Sequence, residues 1–224
     1  MSEHPAKRFE LIVFDWDGTL MDSAAAIVRA IAAACRDLAL PEPSEARARH
    51  VIGLGLQDAL GHAVPQLARA DYPKMVERYR FHYLATDHEL SLFPGAFEMI
   101  EQLAGAGRLL GVATGKSRVG LDRALTHTGL GRFFASTRCA DECFSKPHPQ
   151  MLEELMDELG VARDRTLMIG DTTHDLDMAR NAGVASLAVS FGAHPRAALV
   201  EAAPLAIIDT PAELAAWLGV RARG

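Results

Sequence analysis

Asp15 and Asp17 flank a single residue directly after the apolar run 11–14, and Gly18 and Thr19 follow at once. Residues i and i+2 of an extended chain face the same way. Two carboxylates therefore leave the end of this strand aimed together, and their ionised forms persist only beside a cation or strong donors. Gly18 permits a tight turn close to a ligand. The plainer alternative is a strand-ending turn with solvated aspartates. A second acidic cluster, Gly170, Asp171, Thr172, Thr173, His174 and Asp175, follows the apolar run 167–169. Its carboxylates stand at a strand end and one helical turn later, a pattern that by itself equally describes a turn and a helix N-cap. If the two strands are neighbours, Asp15, Asp17 and Asp171 converge into a hard oxygen set. Such a set suits Mg²⁺, which keeps some waters and a substrate phosphate.

Thr114 and Gly115 stand where the apolar run 109–113 passes into a helical pattern, with Lys116 and Ser117 next. Backbone N–H groups at such a helix start favour an anion, and Ser117 reads as the helix cap. Lys146 sits between Ser145 and Pro147, ahead of another helical pattern. A lone lysine reads as surface. Beside Asp15, Asp17, Asp171 and Asp175, however, a phosphate dianion needs one more positive charge to hold it.

These residues must be delivered by a scaffold. Short apolar runs at 11–14, 109–113, 167–169, 185–189 and 206–208 have strand length. Amphipathic patterns lie between them, such as Met151, Leu152, Leu155, Met156 and Leu159 stopping at Gly160, or Ile100 and Leu103 stopping near Gly105 and Gly107. Nearly continuous apolar strands alternating with helices predict an α/β fold, a doubly wound parallel sheet covered on both faces. Ligands bind such sheets at the carboxyl ends of the strands. Residues 22–90 break the alternation. They show helical patterns only: Ile27, Ile31, Ala34 and Leu38, then Met75, Val76, Tyr79 and Tyr83. A block of that length is too long for a crossover and predicts an all-helical cap inserted into a core made of 1–21 and 91–224, with its return near Phe93, Pro94 and Gly95.

Composition is ordinary for a globular chain of 224 residues: 49% hydrophobic, 23% charged, 18 glycines and 11 prolines. A net charge of −6 argues against a nonspecific nucleic-acid binder or a polybasic membrane-surface protein. Cys35, Cys139 and Cys143 leave an odd thiol and lack zinc-finger spacing, so reduced cysteines are expected. Residues 1–8 are polar and no long apolar stretch occurs, which predicts a cytoplasmic protein, either monomer or homodimer.

In this order the four elements resemble the haloacid dehalogenase-like hydrolase superfamily, and the resemblance spans most of the chain. Its first motif, Asp-x-Asp-Gly-Thr, matches Asp15 to Thr19; Thr114 and Gly115 match its second, Lys146 its third, and Gly170 with Asp171 and Asp175 its fourth. The resemblance implies a Rossmann-like core and a Mg²⁺-dependent phosphatase. Asp15 would attack phosphorus to form an aspartyl-phosphate, while Asp17 would protonate the leaving oxygen and later activate water. Mg²⁺ would be held by a side-chain oxygen of Asp15, the backbone carbonyl of Asp17 and the Asp171 side chain, with Asp175 at the edge of the site. Thr114, Gly115 and Lys146 would bind the transferring phosphoryl group.

The helical insertion and the stretches around Phe93 to Gly95 and Lys146 to Pro149 look like the phosphoglycolate phosphatase branch, with 2-phosphoglycolate as the candidate substrate. That branch also contains pyrophosphatases and nucleotide phosphatases. A β-phosphoglucomutase shares the same core motifs and returns the phosphoryl group to a sugar rather than to water. Phosphonate cleavage would need a Schiff-base lysine in the cap, where Lys74 stands alone in a helical pattern that points to exposure. A binding or regulatory protein on the same fold would not need the complete acid set. The candidate cap lining is the stretch from Arg47, Arg49 and His50 into Gly53, Leu54, Gly55 and Leu56, where basic side chains precede a glycine-rich bend suited to an anionic substrate; the plainer alternative for the three basic residues is a solvated helix face, and they are not counted among the site residues.

Overall fold

The computed structural model describes residues 5–220. The outermost parts of the predicted core segments, 1–4 and 221–224, lie outside the described residues. In chain order, β1 (Leu11–Phe14) is followed by α1 (Ala24–Asp37), α2 (Glu45–His50), α3 (Leu56–Ala63) and α4 (Tyr72–Thr86). The chain then runs through α5 (Ala96–Gly105), β2 (Leu109–Thr114), α6 (Arg118–Thr128), β3 (Ser136–Cys139) and α7 (Gln150–Leu159). It ends with β4 (Thr166–Gly170), α8 (Thr173–Ala182), β5 (Ala185–Val189), α9 (Arg196–Glu201), β6 (Ile207–Ile208) and α10 (Pro211–Trp217).

The strands form one parallel six-stranded sheet in the order β3-β2-β1-β4-β5-β6. Alternate residues of the continuous apolar strands feed opposite cores. Ile12, Phe14, Leu167 and Ile169 pack beneath α5 and α10, whereas Leu11, Val13 and Met168 pack beneath α7 and α8. Burial on both faces is why these runs are apolar at every position. The expected strands are all present. β3 is additional: its sequence Ser136, Thr137, Arg138, Cys139 carries no apolar run because three of its four residues lie half-exposed at the sheet's edge.

Because chain order runs outward from β1 in both directions, the crevice between β1 and β4 is the topological switch point of the sheet. Phe14 pairs with Ile169, and the Asp15 N–H donates to the Ile169 carbonyl at 2.9 Å. Asp15 and Asp171 thus emerge side by side at that crevice.

Helices α1 to α4 build their own apolar cluster, in which Ile31, Ala34, Leu60, Val64 and Met75 are buried among one another, apart from the cores under the sheet. The way in and the way out run together. Met21 bridges Leu92, the Asp22 N–H donates to the Ser91 carbonyl at 3.0 Å, and the Phe93 N–H donates to the Leu20 carbonyl at 2.9 Å. No helix among the described residues is long and apolar enough to cross a membrane. The three cysteines are free thiols.

Candidate active site

Two turns deliver the acids. After β1 the chain turns at Gly18, whose φ of +84° favours glycine, and a Cβ there would stand 2.2 Å from Asp171 Oδ2. Thr19 then donates its hydroxyl to Asp171 Oδ1 at 2.8 Å, and the Ala193 N–H donates to Asp171 Oδ2 at 2.7 Å. After β4, Thr172 caps α8 in a reciprocal capping box with Asp175. The cap and the acidic cluster are therefore one structure. Asp175 Oδ2 accepts from the Thr172 N–H and hydroxyl at 3.1 and 2.7 Å, which leaves Oδ1 to face Lys146.

Asp15, Asp171 and Asp175 are buried and each offers an oxygen within 4.8 Å of the others. Lys146, 2% exposed rather than on the surface, places Nζ 2.8 Å from Asp15 Oδ1 and 2.6 Å from Asp175 Oδ1. Burial alone would pull its ammonium down, but the two carboxylates raise it above the ordinary lysine range. Asp15 has its carboxyl pushed well up by burial, a shift that Lys146 opposes and Asp175 and Asp171 reinforce. Among the described residues, Lys146 is the one donor near Asp15 Oδ1, and Asp15 Oδ2 has no hydrogen-bond donor. With all three carboxylates deprotonated, one ammonium would leave two negative charges uncancelled. That deficit and the donorless Asp15 Oδ2 fit a divalent cation.

The same burial sets a pH dependence. Burial first, then the charge of Asp175, pushes Asp171 up to about 7. An acid whose folded pKa exceeds its unfolded value holds its proton more tightly in the folded state. Its contribution to stability without metal is thus greatest below about pH 4 and fades as pH rises through the folded pKa. A metal ion bound at Asp171 would take the proton's place. Adding a divalent metal ion is therefore expected to raise the thermal midpoint more at about pH 8 than at about pH 5.5. Differential scanning fluorimetry of the EDTA-treated protein checks this.

Asp17 stands apart from the carboxylate cluster. Its Oδ1 accepts from the Ser23 hydroxyl at 2.6 Å and lies 3.0 Å from Lys116 Nζ, which also donates to the Tyr83 hydroxyl of α4 at 3.0 Å. Thr114 is buried at the end of β2, the strand beside β1, and its hydroxyl accepts from the Lys116 N–H at 3.2 Å. Ser117 caps α6 by accepting from the Gly120 N–H at 3.3 Å.

The inserted helices reach down onto this edge through Gly53, Leu54 and Gly55. A Cβ on Gly115 would lie 2.4 Å from the Leu54 carbonyl oxygen and 2.6 Å from that of Gly53, so only glycine admits the loop. A Cβ on Gly53 would stand 4.0 Å from Asp15 Oδ2, and the Gly55 N–H donates to the Ser145 hydroxyl at 2.9 Å. The glycine part of the expected lining is thus in place. Its basic part is elsewhere: Arg47 is exposed and Arg49 pairs with Glu45 at 2.9 Å, one turn away on the same helix. His50 contributes its carbonyl, which receives His174 Nε2 at 2.7 Å and His194 Nε2 at 3.0 Å. Burial takes His194 down to about 4, and its Nδ1 accepts from the Thr173 N–H at 3.1 Å.

Sequence reasoning assigned no role to Lys116, Tyr83 or Ser23. Lys116 had a visible signal, its place next to Gly115 at a strand end. Its partners come from 33 and 99 residues away in sequence and could not be paired with it beforehand.

The sequence model of the haloacid dehalogenase-like hydrolases matches residues 12–189. A probable phosphatase of Dickeya dadantii, IndB, is 38% identical over 212 residues and the match covers 91% of each chain. A phosphoglycolate phosphatase of Agrobacterium fabrum is 32% identical over 210 residues, covering 91% of this chain and 90% of its own. Among solved structures, a predicted phosphoglycolate phosphatase from Haemophilus somnus aligns with a TM-score of 0.82 at 27% identity, covering 92% of this chain and 96% of the other. The matched segment carries every motif residue from Asp15 to Asp175 on a sheet that brings both acidic clusters to one crevice, and the chain belongs to the haloacid dehalogenase-like hydrolase family.

Proposed function

We propose that the protein is a phosphatase that hydrolyses a small phosphomonoester through an aspartyl-phosphate on Asp15, with Mg²⁺ as its metal ion. One observation carries this reading: a buried carboxylate held at Oδ1 by a fixed ammonium, with Oδ2 left without a donor beside two further acids. Asp15 is positioned to attack phosphorus as the bond to the leaving oxygen breaks. Asp17 gives that oxygen a proton, and then takes one from the water that cleaves the aspartyl-phosphate, so that phosphate departs and both acids are restored. Lys146 and Thr114 hold the transferring oxygens, beside the backbone of Gly115, while Asp175 keeps Lys146 in place. Asp15, Asp171 and the Asp17 carbonyl would hold Mg²⁺, which would supply positive charge where the phosphate dianion meets a carboxylate.

Residues 22–90 act as a cap over the core formed by 1–21 and 91–224, shutting water out as it seats on Gly115 and Ser145. The names of the relatives make 2-phosphoglycolate the first ester to assay. Hydrolysis of a chromogenic phosphate ester is expected to stop on EDTA treatment and to return with Mg²⁺. Turnover untouched by chelation would contradict the metal assignment. Asp17→Asn is expected to lower kcat by about 10²–10⁴-fold, the usual worth of acid–base assistance. Steady-state kinetics with a poor alkyl leaving group read the effect most clearly.

A further inference from the structure

The leaving group must depart on the side of Asp17, and Asp17 lines a cavity of about 940 Å³ between α1, α3, α4 and the edge of the sheet. This lies near the top of the roughly 300–1,000 Å³ typical of pockets for drug-sized ligands. It is far more than the two carbons of glycolate require. We propose, resting on the phosphatase reading above, that this cavity receives the alcohol portion of the substrate, and that this alcohol carries a sizeable uncharged ring rather than a carboxylate.

The walls support the ring. Ile31, Leu60 and Val76 line the cavity, and so do Tyr79 and Tyr83, whose rings stack with centroids 5.8 Å apart and planes 17° from parallel. Burial raises both phenols above their ordinary range, so the two rings are neutral walls. At the mouth stand Leu84, Val119 and Phe144, which are 41%, 74% and 66% exposed. They are half of the six large apolar side chains that stand exposed among the described residues. Exposed apolar side chains gathered on one rim mark a place where apolar surface is met.

The charges argue against a carboxylate. Lys116 is engaged by Asp17 at 3.0 Å and by Tyr83, and Arg123 pairs with Asp87 at 2.8 Å. Asp58 and Asp141 also line the cavity, against Arg80 as the further cation, so its formal balance, leaving histidines neutral, is negative. An anionic leaving group would meet no cationic surplus there. The basic residues that could have supplied one, Arg47 and Arg49, are not in its lining.

The test compares esters of similar primary alcohols, so that chemical reactivity is matched and only recognition differs. With Mg²⁺ present, kcat/KM is measured for ethyl phosphate, 3-phenylpropyl phosphate and 2-phosphoglycolate. The proposal expects 3-phenylpropyl phosphate to exceed both others by at least about tenfold, in line with the 10–200-fold that one methylene in an apolar pocket can carry. Tyr79→Ala, and separately Phe144→Ser at the exposed rim, should each shrink the phenylpropyl-to-ethyl ratio. Phe144→Ser removes an exposed side chain and keeps the test independent of folding. Equal or better turnover of 2-phosphoglycolate or ethyl phosphate would overturn the proposal and leave the phosphatase reading standing. No turnover of any of the three esters would overturn that reading and the proposal together.

Discussion

Asp15→Asn is expected to stop turnover, with kcat falling by more than about 10⁴-fold, while the protein stays folded. The amide is nearly the same size as the carboxylate but cannot form the acyl phosphate. Its effect on stability separates a catalytic acid from a structural one. Burial and the charges of Asp171 and Asp175 all work against an ionised Asp15. Removing that charge leaves Lys146 its partner Asp175 at 2.6 Å. Without metal, the variant should therefore melt no lower than the parent and should gain less from added Mg²⁺. Paired thermal scans and single-turnover kinetics measure both halves. Residual turnover near the parent rate would remove Asp15 from the role of nucleophile.

Lys146→Met is expected to damage both stability and catalysis. Nζ lies between Asp15 and Asp175 with its side chain fully buried. Deleting one partner of a buried ionic cluster strands the other charges, at a cost of about 3–5 kcal/mol. Losing a preorganised donor to the transferring oxygens should lower kcat by a further 10²–10³-fold or so. Urea denaturation and kinetics at saturating Mg²⁺ report the two effects separately. Adding Asp175→Asn to Lys146→Met should recover much of the stability and none of the activity. Recovery of both would mean that Lys146 only balances charge.

The sheet was legible because burial on both faces writes itself as uninterrupted apolar runs, as in Leu11, Ile12, Val13 and Phe14. β3 was illegible for the converse reason: an edge strand with Ser136, Thr137 and Arg138 half in solvent has no hydrophobic signature. The acidic clusters were readable because each follows a strand within a few residues, so strand adjacency alone brings Asp15 and Asp171 together. Lys146 was weaker as a signal, since nothing local to Ser145 and Pro147 shows that the lysine turns inward. The packing of α1 to α4 was hardest. Whether Arg47 or Gly53 faces Asp15 depends on how helices pack, and helix α2 satisfies Arg49 internally through Glu45. The link from Asp17 through Lys116 to Tyr83 likewise exists only once the inserted helices are seated.

The most direct measurement is acid quenching of the enzyme during turnover with Mg²⁺, followed by peptide mass spectrometry. A phosphoryl adduct confined to the peptide carrying Asp15, and missing from Asp15→Asn, is the predicted result. Steady turnover with no adduct on that peptide at any quench time, or an adduct on another residue, would contradict the account.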